Sequence, residues 1–166
     1  METKRWNVQA EVDPQIKNKY IEEAADLILR GETVAFPTET VYGLGANALS
    51  DQAIMKIFEA KGRPSDNPLI VHIAEQRQIP QVAKALPPIA QKIIDAFWPG
   101  PITVIVPAAE GISQKVTAGL DTVGIRMPSH PVAHALLRQA GVPVAAPSAN
   151  RSGKPSPTAA DHVAFD

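Results

Sequence analysis

The sequence contains no cysteine, which excludes a disulfide scaffold, a thiol nucleophile and every cysteine-bearing zinc site. Neither sign of charge is in excess. Sixteen Lys and Arg against 17 Asp and Glu leave a net charge of −1, without the overall basic footprint of a nucleic-acid binder, although a local basic site stays open. No long apolar run exists: the longest, 102–109, is interrupted by Pro107 and falls far short of the ~18 residues that span a bilayer. The first seven residues lack the apolar core of a signal peptide, so the expected compartment is the cytoplasm, with no membrane partner. P-loop and G-x-S-x-G signatures are both missing, as are internal repeats and low-complexity tracts.

What is present suits one sheet-containing domain. The chain has 166 residues, 45% hydrophobic and 20% charged. Ile and Val together number 29 against nine Leu, a bias toward strands. Sixteen prolines are about twice the average share of roughly 5%.

Helical and strand-like segments alternate, as in an α/β or mixed α+β sheet domain. Asp13 and Pro14 start a helix that runs to about Arg30, with Gly31 at its C-terminal cap; Ser50 caps a second that ends at Gly62. Further helices are expected over 88–98, where Ile89, Ile93 and Phe97 share a face, over 131–140, and from Thr158 through 159–165. Strands are expected over 33–36, 69–74, 102–106, 123–127 and 142–145.

Five segments could carry chemistry. In residues 36–48 a strand stops at Pro37 and gives way to hydroxyls, a carboxylate and two glycines. Gly43, Gly45 and Ala48 loosely fit a dinucleotide-binding pattern, but six residues separate them from the strand, so a structural turn competes with a ligand loop. In residues 61–68, Lys61 and Arg63 between stiffening prolines suit phosphate, or else complement a helix C-terminus. Alternation sets His72 opposite Leu69, Val71 and Ile73, and sets Arg126 opposite Val123, Ile125 and Met127. Gly124 is expected to leave room beside Arg126 for a ligand carboxylate. Residues 145–158 place Ser148, Ser152, Ser156, Arg151 and Lys154 directly after a strand, where open α/β sheets bind anions. The i, i+4 pair His130 and His134 has no third ligand nearby, so no residue is assigned to a metal.

Taken in order, Pro-Thr-Glu-Thr-Val-Tyr-Gly-Leu-Gly (37–45), Lys-Gly-Arg-Pro (61–64), Asn-Pro-Leu (67–69), Trp-Pro-Gly-Pro-Ile-Thr (98–103), Val-Gly-Ile-Arg-Met-Pro (123–128) and Ala-Pro-Ser-Ala-Asn (146–150) resemble the threonylcarbamoyl-AMP synthases, the YrdC-like enzymes. The resemblance covers about residues 14–166. It implies a twisted mixed sheet flanked by helices, with a large concave nucleotide-binding site. It also implies a nucleotidyltransferase that converts L-threonine, bicarbonate and ATP to threonylcarbamoyl-AMP and pyrophosphate. Separate tRNA-modifying proteins would use the product to make N6-threonylcarbamoyladenosine. L-Threonine contacts are implied at Thr40, His72, Arg126 and the backbone of Ala146, and ATP contacts at Arg63, Asn67, Thr122, Ser148 and Ser156. Lys61 and Arg63 would act on the phosphates, with Mg²⁺ bound through those phosphates. Relatives continue with more sheet and often a second domain, so residues 1–166 are expected to be one YrdC-like domain without its C-terminal part. An RNA-binding module with weak RNA affinity, and carbamoyl-adenylate chemistry as in hydrogenase maturation proteins, are the competing functions.

Overall fold

The computed structural model describes residues 3–9, 12–62, 67–149 and 158–160. Helix α1 (Pro14–Leu29) begins where the Asp13 carboxylate accepts from the Gln15 N–H at 2.8 Å, and it ends before Gly31, whose φ of 87° suits only a residue without Cβ. Strands β1 (Val34–Phe36) and β2 (Gly43–Asn47) form an antiparallel pair. Helix α2 (Asp51–Lys61) is capped by Ser50, which accepts from the Ala53 N–H at 3.2 Å. Strand β3 (Ile70–His72), a 3₁₀ turn (Gln76–Gln78) and the short α3 (Ile79–Val82) lead to α4 (Pro88–Phe97). Then come β4 (Val104–Pro107), α5 (Gln114–Thr117), β5 (Thr122–Arg126), α6 (Pro131–Ala140) and β6 (Val144–Ala145).

The six strands form one mixed sheet in the order β1-β2-β6-β3-β5-β4, in which only β3 and β5 run parallel. Apolar side chains leave both faces. Ala46, Val71, Val104, Ile125 and Ala145 point to the larger core, which Ile54, Ile57, Ala90 and Ile94 of α2 and α4 complete. Val34, Phe36 and Val144 point the other way, under Ile28 of α1 and Leu136 and Leu137 of α6. On that second face α1 and α6 cover only the β1-β2-β6 end. Ile70 on β3 is 40% exposed and Ile105 on β4 is 73% exposed, whereas His72 and Arg126 on the same half of this face are buried.

Two expectations are corrected. The glycine segment taken as a turn or ligand loop is strand β2, and its glycines serve packing. A Cβ on Gly45 would stand 2.7 Å from both Phe36 Cε1 and Val144 Cγ1. Helix α4 turns Ala90 and Ile94 inward, leaving Ile89 and Phe97 exposed and Ile93 only partly buried, so the anticipated face is not the one that docks. His130 is a helix cap: its Nδ1 accepts from the Val132 N–H at 3.1 Å. The helix expected over 159–165 lies largely outside the described residues.

Candidate active site

Strand alternation decides which side chains reach the second face. On β5, Val123 and Ile125 enter the larger core, so Thr122, Gly124 and Arg126 point the other way. The parallel register sets His72 against Arg126 and Ile70 against Gly124. Both polar residues thus stand at the carboxyl ends of adjacent parallel strands, where open α/β sheets hold ligands.

Arg126 is buried, and its guanidinium is held from three sides. Its Nε donates to the Gly100 carbonyl at 3.1 Å, Nη1 reaches Thr40 Oγ1 at 3.4 Å, and Nη2 pairs with the Glu39 carboxylate. The loop between β1 and β2 presents Thr40 in a set orientation, because Thr38 Oγ1 accepts from the Thr40 N–H at 3.2 Å and donates to the Val41 carbonyl at 2.8 Å. The loop after α4 holds Gly100, whose N–H donates to the Met127 carbonyl at 2.8 Å. A side chain there would put its Cβ 2.7 Å from the Phe97 carbonyl oxygen. Glu39 is tied down in turn, accepting from the backbone N–H and the hydroxyl of Ser129, both at 2.6 Å.

The charges follow from these contacts. Burial pushes the His72 pKa down to about 4, and the nearby Arg126 cation adds to the effect, so the imidazole is neutral at pH 7. Its Nδ1 has no hydrogen-bond partner among the described residues, while its ring meets Phe36 edge-on at 6.1 Å. Backbone groups of Ile70 and Val144 lie close enough to offset part of the burial effect on the ring. Partial burial raises the Glu39 pKa, but the Ser129 hydrogen bonds and the Arg126 charge outweigh it and hold the carboxyl below its ordinary value.

A second group adjoins the first. Lys61, at the end of α2, is buried and donates from Nζ to the Ser148 carbonyl at 2.6 Å. Residues 147–149 run beside β2, with the Leu44 N–H donating to the Pro147 carbonyl and the Ala149 N–H to the Tyr42 carbonyl, both at 2.9 Å. Two residues before Ser148, the Ala146 N–H donates to the Ile70 carbonyl at 3.0 Å, so the expected backbone contact of Ala146 has only its carbonyl to use.

The structure therefore brings Thr40, His72 and Arg126 together. Ala146 lies on the neighbouring chain segment opposite Ile70, and Lys61 and Ser148 form a pair of their own beyond it. Thr122 is exposed on the same face at the opposite end of β5, about 13 Å along the strand from Arg126. Asn67 opens the segment that enters β3 and is exposed. Arg63 and Ser156 lie outside the described residues, as do Arg151, Ser152 and Lys154. Gly124 does not open a space for a carboxylate: a Cβ there would meet Thr103 Cγ2 at 3.1 Å, so its bareness accommodates Thr103. Sequence reasoning missed Glu39 and Gly100 as partners of the arginine, and Ser129 as the donor that holds Glu39. Its one signal was that an arginine on an apolar strand needs an anion, and Glu39 lay inside a motif already singled out.

The model of the Sua5, YciO and YrdC proteins, described as "Telomere recombination", matches residues 26–166. The threonylcarbamoyl-AMP synthase of Bacillus subtilis is 56% identical over 167 residues, covering all of this chain and 48% of the relative. That of Pyrococcus abyssi is 54% identical, covering 93% of this chain and 46% of the relative. The solved structure of P. abyssi Sua5 complexed with L-threonine superposes with a TM-score of 0.88 at 55% identity, over 90% of this chain and 44% of that one. The chain thus spans about half the length of these relatives.

Proposed function

The chain belongs to the Sua5, YciO and YrdC family, and on that premise we propose that it carries the threonylcarbamoyl-AMP synthase site. The observation that carries this reading is the register pairing of His72 with Arg126 at the carboxyl ends of β3 and β5, with Thr40 against the Arg126 guanidinium. The P. abyssi relative solved with L-threonine supports it.

In this reading Arg126 holds the threonine carboxylate through paired N–H donors. Thr40, neutral His72 and the Ala146 carbonyl receive the rest of the amino acid. The threonine amine and bicarbonate condense to a carbamate with loss of water. A carbamate oxygen then attacks the α-phosphate of ATP, and pyrophosphate leaves. Chemistry of this type rests on positioning and charge neutralisation, which suits a site built of cations and hydroxyls. Lys61 and Arg63 offset phosphate charge, and Asn67, Thr122, Ser148 and Ser156 contact ATP. Mg²⁺ neutralises charge on the triphosphate when bound. The enzyme would be a cytoplasmic nucleotidyltransferase whose product passes to tRNA-modifying proteins. No helix among the described residues is long and apolar enough to cross a membrane.

Pyrophosphate release, measured with ATP, L-threonine and bicarbonate and with each omitted in turn, tests the reading. Release should need all three, and Arg126→Ala should abolish the threonine-dependent part. Lys61→Ala combined with Arg63→Ala should weaken ATP binding. Turnover that depends on carbamoyl phosphate instead would indicate carbamoyl-adenylate chemistry. Salt-sensitive RNA binding without turnover would indicate an RNA module.

A further inference from the structure

We infer that Glu39 is the positioning residue that aims Arg126 at the carboxylate of the amino-acid substrate, an inference that rests on the threonine-site reading above. A guanidinium has five N–H donors in a planar fork. Among the described residues three are engaged, by the Gly100 carbonyl, Thr40 and Glu39, which leaves one on each terminal nitrogen. That is the set an end-on fork to a second carboxylate can use. On such a fork a rotation of a few tens of degrees breaks the match, so what fixes the plane decides the affinity.

Glu39 fits this role better than that of a stand-in for substrate. A carboxylate keeping the place of threonine would need to leave, and so would be loosely held. Glu39 instead spends one oxygen on Arg126 and the other on two 2.6 Å hydrogen bonds from Ser129. Its side chain is 21% exposed and it joins two loops, the one after β1 and the one between β5 and α6. Freed of Glu39, the guanidinium would keep the Gly100 bond at Nε and the long contact to Thr40, which together still allow it to tilt.

The experiment compares the parent chain with Glu39→Gln, Glu39→Ala and Ser129→Ala. L-Threonine and ATP binding are followed by calorimetry and the Arg126 guanidinium N–H signals by NMR. Glu39→Gln keeps the size and one hydrogen bond, so it serves if the alanine variant fails to fold. Both Glu39 variants should weaken L-threonine binding about tenfold or more, the loss expected when a tilted fork gives up one of its two charge-assisted bonds to the substrate carboxylate. ATP binding should stay within about twofold, and the Arg126 Nη–H signals should broaden as rotation of the terminal nitrogens is freed, while the Nε–H signal stays protected by Gly100. Ser129→Ala, which retains the backbone N–H, should produce a smaller change in the same direction. Threonine binding that is unchanged or tightened in a folded Glu39 variant overturns the proposal, tightening being the mark of a displaced stand-in. A parent chain that binds no L-threonine overturns the reading of the site and takes this proposal with it.

Discussion

His72 and Arg126 stand opposite each other on the parallel pair β3 and β5, and the guanidinium adds to burial in keeping the imidazole uncharged. The site therefore pairs one permanent cation with one neutral imidazole on neighbouring strands. Protonating His72 would place two cations side by side in a buried position.

Acid should destabilise the fold through this histidine. The folded pKa is about 4 against an ordinary 6.5, so between those values the unfolded chain binds the additional proton. Stability then rises with pH across that window and is lost as pH falls toward 4, by roughly 3 kcal/mol at most. Glu39, held below its ordinary carboxylate value, adds a loss only at lower pH. Urea midpoints between pH 4 and 7 should fall more steeply for the parent than for His72→Leu. Parallel slopes would sink the assignment.

Gly45→Ala should destabilise by about 1–3 kcal/mol, the usual cost of overpacking. Its Cβ would enter 2.7 Å from Phe36 and Val144, two side chains of the buried second face with no flexible end to give way. Chemical denaturation reads the loss. An alanine variant as stable as the parent would show that the sheet yields there.

Lys61→Met keeps an apolar stem of similar length and removes only the ammonium. The Ser148 carbonyl then loses its 2.6 Å donor, and the fold should lose about 1–3 kcal/mol. If Lys61 also serves the nucleotide, ATP affinity should fall in the same variant at temperatures where it remains folded. Thermal unfolding and ATP titration separate the two effects.

Helix α4 offers a contrast within one element. Ile94 is fully buried, and Ile94→Ala should cost about 2–5 kcal/mol. Ile89 is 66% exposed, and Ile89→Ala should stay within about 0.5 kcal/mol of the parent. Equal losses at the two positions would mean that the helix docks on its other stripe.

That helix also marks the limit of reading a sequence. Its stretch carries two apolar rows, and periodicity alone favoured Ile89, Ile93 and Phe97. Only docking against the sheet selected Ala90 and Ile94, because the interior has room for a small residue beside a branched one. Strand β2 was missed for a related reason. A run of Gly, Leu, Gly, Ala and Asn has little strand propensity, and it is extended because β1 and β6 pair with it on either side. The caps, by contrast, were legible because they are local: Asp13, Ser50 and Gly62 act within a few residues of their own chain.

The sequence by itself determined the helix ends at those caps, most of the strands, the face on which His72 and Arg126 lie, and the family. All of these follow from short-range steric and hydrogen-bonding rules or from ordered motifs. The tertiary structure alone decided which anion meets Arg126, which carbonyl receives Lys61, and that Gly45 and Gly124 make room for Phe36, Val144 and Thr103 rather than for a ligand. Glu39 and Arg126 are 87 positions apart, as are Lys61 and Ser148. Contacts at that separation depend on how the sheet orders its strands, which no local pattern encodes.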